Sequence, residues 1–498
     1  MPGFASHSDL EPVVEGRLQP YSRLTQFGQP LSVSHPHLVA PGELTPGVQA
    51  TEYVERRRKL MESLPGGSAV VIRSGELKYM SGQIFYKFRQ DSDFWYLTGI
   101  EEQNAAAILH KDSDTTGYRM HLFVAEENTS DALWNGPRTG LQISKTAFGA
   151  DEVSPISQFP RALREAGKRS TQLYADAKHH GDYISSLSPR KRTTSLLAYL
   201  SSAVSGATEE LAEDILRKLR PRSLSNYLAN LRRVKSPAEQ KLMRKAGDMS
   251  GTAHAKTMRF AQSAKSEAQL AAHFEYLCAL AGSQRPAYVP VVASWTNALI
   301  IHYTRNDCLL QQGELVLMDA GCEYNGYASD ITRTFPVGPS GTFSSPQKEL
   351  YAAVLQVQKR LIQLCTESAG ESLNSLHSRS VQELATALTE IGFDLGAGER
   401  RMDILYPHFL SHPIGIDLHE TNGQRHQTLV EGQVVTIEPG VYVPPDPAFP
   451  KWFHNIGIRI EDEVLVERDT AQVLTVNAPK EIADIEAVCQ GVVDVGPY

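Results

Sequence analysis

Leu315-Val316-Leu317-Met318-Asp319-Ala320-Gly321 followed by Asp330-Ile331-Thr332-Arg333-Thr334-Phe335 decides the fold of the half of the chain around it. The first run is an apolar strand that ends in a carboxylate. The second is a strand that begins with one. Between them, Tyr324-Asn325-Gly326-Tyr327 has the composition of a tight hairpin turn. Such a hairpin brings Asp319 and Asp330 side by side. Two facing carboxylates repel, so one takes a proton or a cation lies between them. The plainer alternative is a turn aspartate beside an arginine-paired one.

Working outward, Ser236-Pro237-Ala238-Glu239 is a complete capping box with proline at the first helical position. It opens a long helix to about Ala261. Ser266-Glu267-Ala268-Gln269 starts a second helix that stops at Gly282. Strands are predicted at Tyr288–Ala293, Glu314–Asp319 and Ile331–Phe335. Helices follow from Ser345-Pro346 to about Cys365 and over Ser378–Gly392. The end is β-rich, at Val434–Tyr442, Gly457–Leu465 and Ala471–Val476. Upstream, Glu52–Leu64 reads as an amphipathic helix with basic residues at its centre. Short β-runs at Ala69–Arg73, Ala105–His110 and Met120–Ala125 alternate with helical stretches near Ser157–Ala166 and Ser195–Leu200. The pattern is α+β: an irregular arm over 1–50, an α/β domain over 51–225 and a second domain over 226–498.

Acidic and histidine residues concentrate over 302–461. His408, His412 and His419 fall in a stretch broken by Pro413 and Gly415, which suits a pocket-lining loop and not one helix face. Neutral imidazole is the commonest metal ligand. Glu438 and Glu461 each sit on an apolar strand, where a buried glutamate needs a partner or a metal. Alternation places Arg459 and Glu461 on one face, so these two could simply pair. That pairing leaves Glu438, Asp319 and Asp330 without partners.

Asp319, Asp330, His412, Glu438 and Glu461, in the words MDAG (318–321), SDITRTF (329–335), HPIGIDLHE (412–420), TIEPGVY (436–442) and GIRIEDE (457–463), resemble the two-metal centre of the pita-bread metallopeptidases. Phe88-Arg89-Gln90-Asp91-Ser92-Asp93-Phe94-Trp95-Tyr96-Leu97-Thr98-Gly99 resembles the creatinase-like N-terminal domain of the Xaa-Pro aminopeptidases (aminopeptidase P). Phe27-Gly28-Gln29-Pro30 and the words after it in the arm look like the intermediate cleaving peptidase group, the mitochondrial branch. The resemblance implies two divalent ions, manganese first, with zinc, cobalt or iron as rivals. It implies that Asp319 holds one ion and His412 the other, that Asp330 and Glu461 bridge, and that Glu438 completes the second site and moves protons. His302, His408 and His419 resemble the extra active-site histidines. Arg425 and Tyr442 resemble substrate-contacting positions. Arg459 is expected to anchor Glu461, and Trp95 to form an aromatic wall reaching a neighbouring subunit, against the alternative of a core aromatic.

The implied activity is hydrolysis of the N-terminal residue from peptides or proteins. Alternatives are a prolidase acting on dipeptides, a catalytically inactive pita-bread binding protein and a creatinase-type hydrolase. The inactive reading expects lost ligands, and all five are kept. The remaining composition narrows partners. The charge sum is 49 − 57 = −8 over 498 residues, which disfavours nucleic acid as the main partner. No apolar run is long enough to span a membrane. Five separate cysteines without a C-x-x-C argue against a thiolate zinc site and favour a reducing compartment. The family resemblance implies a mitochondrial protein and a homodimer. As a presequence the first residues are poor, since Asp9, Glu11 and Glu15 face only Arg17 and Arg23; a cytoplasmic protein is the alternative.

Overall fold

The computed structural model describes residues 28–82, 84–111, 117–126, 129–175, 221–396, 400–420 and 422–496. The expectations for the first 25 residues and for a helix at Ser195–Leu200 lie outside these residues. The chain divides into two compact units, Met1–Leu231 and Arg232–Tyr498.

In the first unit a six-stranded mixed sheet is built from β1 (Ser68–Arg73), β2 (Ala106–Lys111), β3 (Tyr118–Val124), β4 (Glu152–Pro155), β5 (Gln172–Ala175) and β6 (Arg222–Ser223), in the order β6-β5-β1-β2-β3-β4. The FRQDSDFWYLTG word becomes α2 (Ser92–Thr98), which follows α1 (Ala50–Glu62) in the chain. Asp91 caps α2 by accepting from Asp93 and Phe94 N–H groups (3.1 and 3.0 Å), and Gly99 ends it in the left-handed conformation. The basic centre of α1 points partly inward. Arg57 is fully buried and donates to the Leu97 and Phe148 carbonyls and the Tyr118 hydroxyl (2.8, 3.2 and 2.8 Å). Its polar atoms replace water with protein acceptors, which makes burial tolerable. The arm is less irregular than its prolines suggest. Glu43–Thr45 pairs with Val48–Gln49, and buried Gln29 bonds to the backbone at Gly99 and Glu101 (both 2.7 Å).

The second unit opens with α3 (Pro237–Phe260) under the expected box: Ser236 N–H donates to Glu239 Oε2 (2.8 Å) and Glu239 N–H to Ser236 Oγ (3.2 Å). Then come α4 (Glu267–Leu280), β7 (Val291–Ser294), β8 (Leu315–Asp319), β9 (Cys322–Tyr324), β10 (Tyr327–Ala328) and β11 (Thr332–Pro336). β8 lies between β7 and β11, so Asp319 faces Val291 on one side and Thr332 on the other. The turn is as the sequence requires: Asn325 and Gly326 both have positive φ (47° and 84°), matching a type I′ hairpin. Gly321 meets the returning strand so closely that a Cβ there would lie 1.8 Å from Ser329 O.

The helices α5 (Ser345–Gln363) and α6 (Leu373–Glu390) pack on this sheet system in one large apolar core. α6 starts five residues before the expected Ser378, because Ser372 accepts the Ser375 N–H (3.1 Å) and caps it there. Each of the two long C-terminal strand readings breaks in two. Val434–Tyr442 becomes β12 (Val434–Ile437) and β13 (Gly440–Val443); Gly457–Leu465 becomes β14 (Ile456–Arg459) and β15 (Asp462–Val466). β12 pairs with β15 and β13 with β14, in separate sheets. The breaks face each other, with Ile460 N–H donating to Pro439 O (3.3 Å). Proline has no N–H for a ladder, and the chain changes sheet there. Glu438 and Glu461 therefore sit at two facing crossovers, outside the regular strands that the sequence suggested.

Beside this crossover Asp462 is fully buried, yet receives Arg333 Nη2, Lys480 Nζ and Thr475 Oγ1 at 2.6, 2.6 and 2.7 Å. Burial by itself would raise the carboxyl, but Arg333 and Lys480 hold it well below the usual carboxylate range. A depressed folded value means that its contribution is present above the unfolded pKa of about 4 and is lost as pH falls further. We expect Asp462→Asn to destabilise the protein by about 3–5 kcal/mol at pH 7. Urea unfolding at pH 7 and near pH 3 measures this; an equal difference at both pH values would refute the assignment.

Candidate metal centre

The end of β8, the start of β11, the 406–420 loop and the two crossovers converge. Asp319, Asp330 and Glu461 each offer an oxygen within 4.8 Å of the others. His412, Glu438 and Glu461 form a second such group, and Asp330, His412 and His419 a third. Asp330 and Glu461 thus each belong to two groups. His412 Nε2 lies 3.3 Å from Asp330 Oδ2 and 3.7 Å from Glu438 Oε1.

Each carboxylate is held in place by a neighbour. Tyr288 places its hydroxyl 2.5 Å from Asp319 Oδ1 and 2.6 Å from Asp330 Oδ1. Thr332 Oγ1 donates to Glu461 Oε2 (2.7 Å) and Thr436 Oγ1 to Glu438 Oε1 (3.4 Å). Arg459 donates to Asp319 Oδ2 (2.5 Å), Thr332 Oγ1 (3.1 Å) and the Tyr442 hydroxyl (2.8 Å). This corrects the expectation that Arg459 anchors Glu461. The strand break after Arg459 removes the alternation that would have put the two on one face, and the guanidinium turns to Asp319.

The electrostatics are unbalanced. Burial raises Asp330, Glu438 and Glu461 well above the carboxylate range, and repulsion among the acids adds to it. His412 is pushed down to about 4 by burial and is therefore neutral at pH 7. Its Nδ1 lies 3.2 Å from Pro413 O, which assigns the proton to Nδ1. The Nε2 lone pair then points at carboxylate oxygens. A lone pair aimed at carboxylates is repulsive unless a proton or a cation lies between them. The residues present therefore fit divalent cations: four carboxylates and one imidazole with its other nitrogen already bonded, the donor set of a hard or borderline ion.

His419 stacks edge-on against His412, with ring centroids 4.2 Å apart. Burial, then His412 and His302, push it down to about 4. Exposed His302 thus lies within electrostatic reach of the cluster. His408 is pushed down to about 3 by burial, then by Arg459. Its Nδ1 faces Phe409 O (3.0 Å) and its Nε2 faces the Tyr442 hydroxyl (2.9 Å). The consistent assignment is a relay in which Arg459 donates to Tyr442 and Tyr442 donates to His408. The Arg425 guanidinium covers the Phe409 ring at 4.1 Å and contributes to lowering His412 and His419. Trp95 belongs to the first unit, 6% exposed and edge-on to Tyr53, a packing that suits a core aromatic. Tyr288, Thr332 and Thr436 were not singled out from sequence. Thr332 and Thr436 lay inside quoted words, but nothing local distinguishes them from ordinary strand residues.

Comparison with known proteins gives the family. Residues 241–468 match Metallopeptidase family M24 and residues 53–174 match the Aminopeptidase P N-terminal domain. The chain is 38% identical to Intermediate cleaving peptidase 55, mitochondrial, of Arabidopsis thaliana, over 93% of this chain and 87% of that one. It is 35% identical to Xaa-Pro aminopeptidase 3 of Homo sapiens, over 96% and 93%. The crystal structure of Icp55 from Saccharomyces cerevisiae superposes with a TM-score of 0.79 at 35% identity, covering 91% of this chain and 100% of that one.

Asp330 is shared between ligand groups, so Asp330→Asn is expected to lower bound divalent metal by at least one ion while circular dichroism stays unchanged. Elemental analysis of the dialysed protein decides it, and an unchanged metal content would remove Asp330 from the centre.

Proposed function

The chain belongs to metallopeptidase family M24 and is a metalloaminopeptidase of the Xaa-Pro aminopeptidase type, and from that premise we propose how its cluster works. Asp319 and His412 would each help to hold one of two divalent ions, Asp330 and Glu461 would serve both, and Glu438 would complete the His412 side. The observation that carries this is the His412 Nε2 lone pair facing Asp330 and Glu438 across 3.3 and 3.7 Å. Asp330 and Glu461 each share one group with Asp319 and another with His412, which supports their serving both ions. Bound ions would neutralise the carboxylates, polarise the scissile carbonyl and activate water. Manganese is our first choice, with zinc, cobalt and iron as alternatives.

The chain's own residues do the rest. Glu438, held by Thr436 Oγ1 and within 4.0 Å of the His408 ring, takes and returns a proton at its carboxylate. His419, a neutral imidazole at pH 7, donates an N–H toward the carbonyl oxygen as negative charge grows there. His302 contacts the residue after the scissile bond. Tyr442 and His408 fix that side of the pocket through the relay from Arg459, and Arg425 meets the peptide farther on. Arg459 also fixes Asp319, so one buried guanidinium orients both a ligand and the relay. Trp95, buried edge-on to Tyr53, acts as a core aromatic of its own unit.

We assign as substrates the N-termini of peptides and proteins, and trimming of a single residue from imported mitochondrial proteins after presequence cleavage. The words "Intermediate cleaving peptidase 55, mitochondrial" describe the Arabidopsis relative and support this compartment for the present chain. A homodimer, and the division into an arm (1–50), an N-terminal domain (51–225) and a catalytic domain (226–498), complete the proposal. No helix among the described residues is long and apolar enough to cross a membrane.

Two outcomes test the reading. His419→Ala should lower kcat by about 10²–10³ with metal content retained; an equal loss of metal would make His419 a ligand instead. Purified protein given Xaa-Pro and Xaa-Ala/Ser peptides should release the first residue from peptides longer than two residues. Cleavage confined to dipeptides would establish a prolidase.

A further inference from the structure

Away from the metal cluster, the second unit carries a groove of about 480 Å³. Trp295 and Trp452 line it and remain 53% and 60% exposed. Exposed indoles are uncommon where nothing is bound, since each leaves a large apolar surface in water. Trp295 is also held at φ 46°, a left-handed conformation that is strained for a side chain of this size. Its strain is not a consequence of packing its ring away.

The surroundings enforce that conformation. Buried Glu267 accepts hydrogen bonds from Ser294 N–H, Ser294 Oγ, Asn297 Nδ2, the Tyr303 hydroxyl and Cys308 N–H at 2.7–3.0 Å. One carboxylate thus clamps the segment on both sides of Trp295. Glu267, Asp307 and Cys308 also bring ligand atoms within 4.8 Å of one another, but the clamp already occupies the Glu267 oxygens. Also in the lining, Trp452 precedes fully buried Phe453, which stacks on Phe393 at 5.1 Å. Two exposed rings stand on two rigid anchors. The lining also carries polar Gln312, Glu314 and Asn455.

We propose that this groove binds an extended, proline-containing stretch of the polypeptide substrate, downstream of the residues that enter the metal centre. The volume is that of a ligand cleft, about 300–1,000 Å³. Exposed indoles beside polar groups in one cleft are the chemistry that recognises extended proline-containing backbone, where rings take the apolar faces and N–H donors meet carbonyl oxygens. The chain links the groove to the centre. Trp295 precedes His302 on the clamped segment, and Gly457 in the groove lies on β14, the strand that carries Arg459. The inference rests on the peptidase reading, because that activity makes a polypeptide the natural occupant.

The test separates the groove from the chemistry. An N-acetylated, fluorescently labelled peptide of about ten residues with two prolines has no free amine for the centre, and the part of its anisotropy lost in the tryptophan variants reports the groove. Trp452→Ala, and separately Trp295→Gly, should weaken its binding about tenfold. The same variants should lower kcat/KM on a long substrate by a similar factor and leave a tripeptide within about twofold of the parent. Undiminished peptide binding in both variants overturns the site. Binding of an oligosaccharide in place of the peptide overturns its chemistry. Loss of peptide binding with long and short substrates equally affected overturns its role in substrate capture. If the parent binds the acetylated peptide but cleaves nothing, the peptidase reading fails while the groove stands.

Discussion

Four carboxylates and a neutral imidazole are gathered in one buried place with a single guanidinium, Arg459, bonded among them. Everything nearby is arranged around that imbalance. Anions held this closely would repel unless protonated or bridged by cations, and burial makes the repulsion stronger because little water screens it. Tyr288, Thr332 and Thr436 each give a carboxylate a fixed hydrogen bond, and the Pro413 carbonyl fixes the His412 tautomer. The outer partners decide where each lone pair points, which is how a protein prepares a centre before the ion arrives.

The backbone accommodates this demand by interrupting its own regularity. Glu438 and Glu461 stand at the two facing crossovers where strands leave one sheet and join another. A continuous strand would have sent alternate side chains to opposite faces. The break frees both glutamates from that alternation and lets them meet. Next door, the Asp462, Arg333 and Lys480 group occupies the other side of the same turn, so that a satisfied ion-pair network backs an unsatisfied one.

Rigid placement recurs beyond the centre. Glu267 clamps the segment bearing Trp295 and His302, while Arg459 holds Asp319 with one nitrogen and Tyr442 with another. In each case a buried charged group with several bonds fixes a chain segment whose working side chain lies elsewhere. Buried charges are costly unless they are fully bonded, which is why each of these carries at least three partners.

By itself the sequence determined which residues meet. Asp319, Asp330, His412, Glu438 and Glu461 lie in separate segments, yet the turn at Asn325-Gly326, the apolar runs and the family words specified their convergence and the metallopeptidase reading. The Ser236 capping box and the Asn-Gly hairpin were legible because their hydrogen bonds run between neighbours in the chain. Tertiary structure decided the rest. Arg459 chose Asp319 over Glu461, Tyr288 came to span both aspartates, and the C-terminal strands broke at their glutamates. The inward turn of Arg57 and the order in the arm around Gln29 belong to the same class. The side-chain outcomes among these depend on partners between 31 and 140 residues away. Local periodicity records which face a residue prefers, whereas the partner of a buried charge is set by whatever distant group the fold delivers to it.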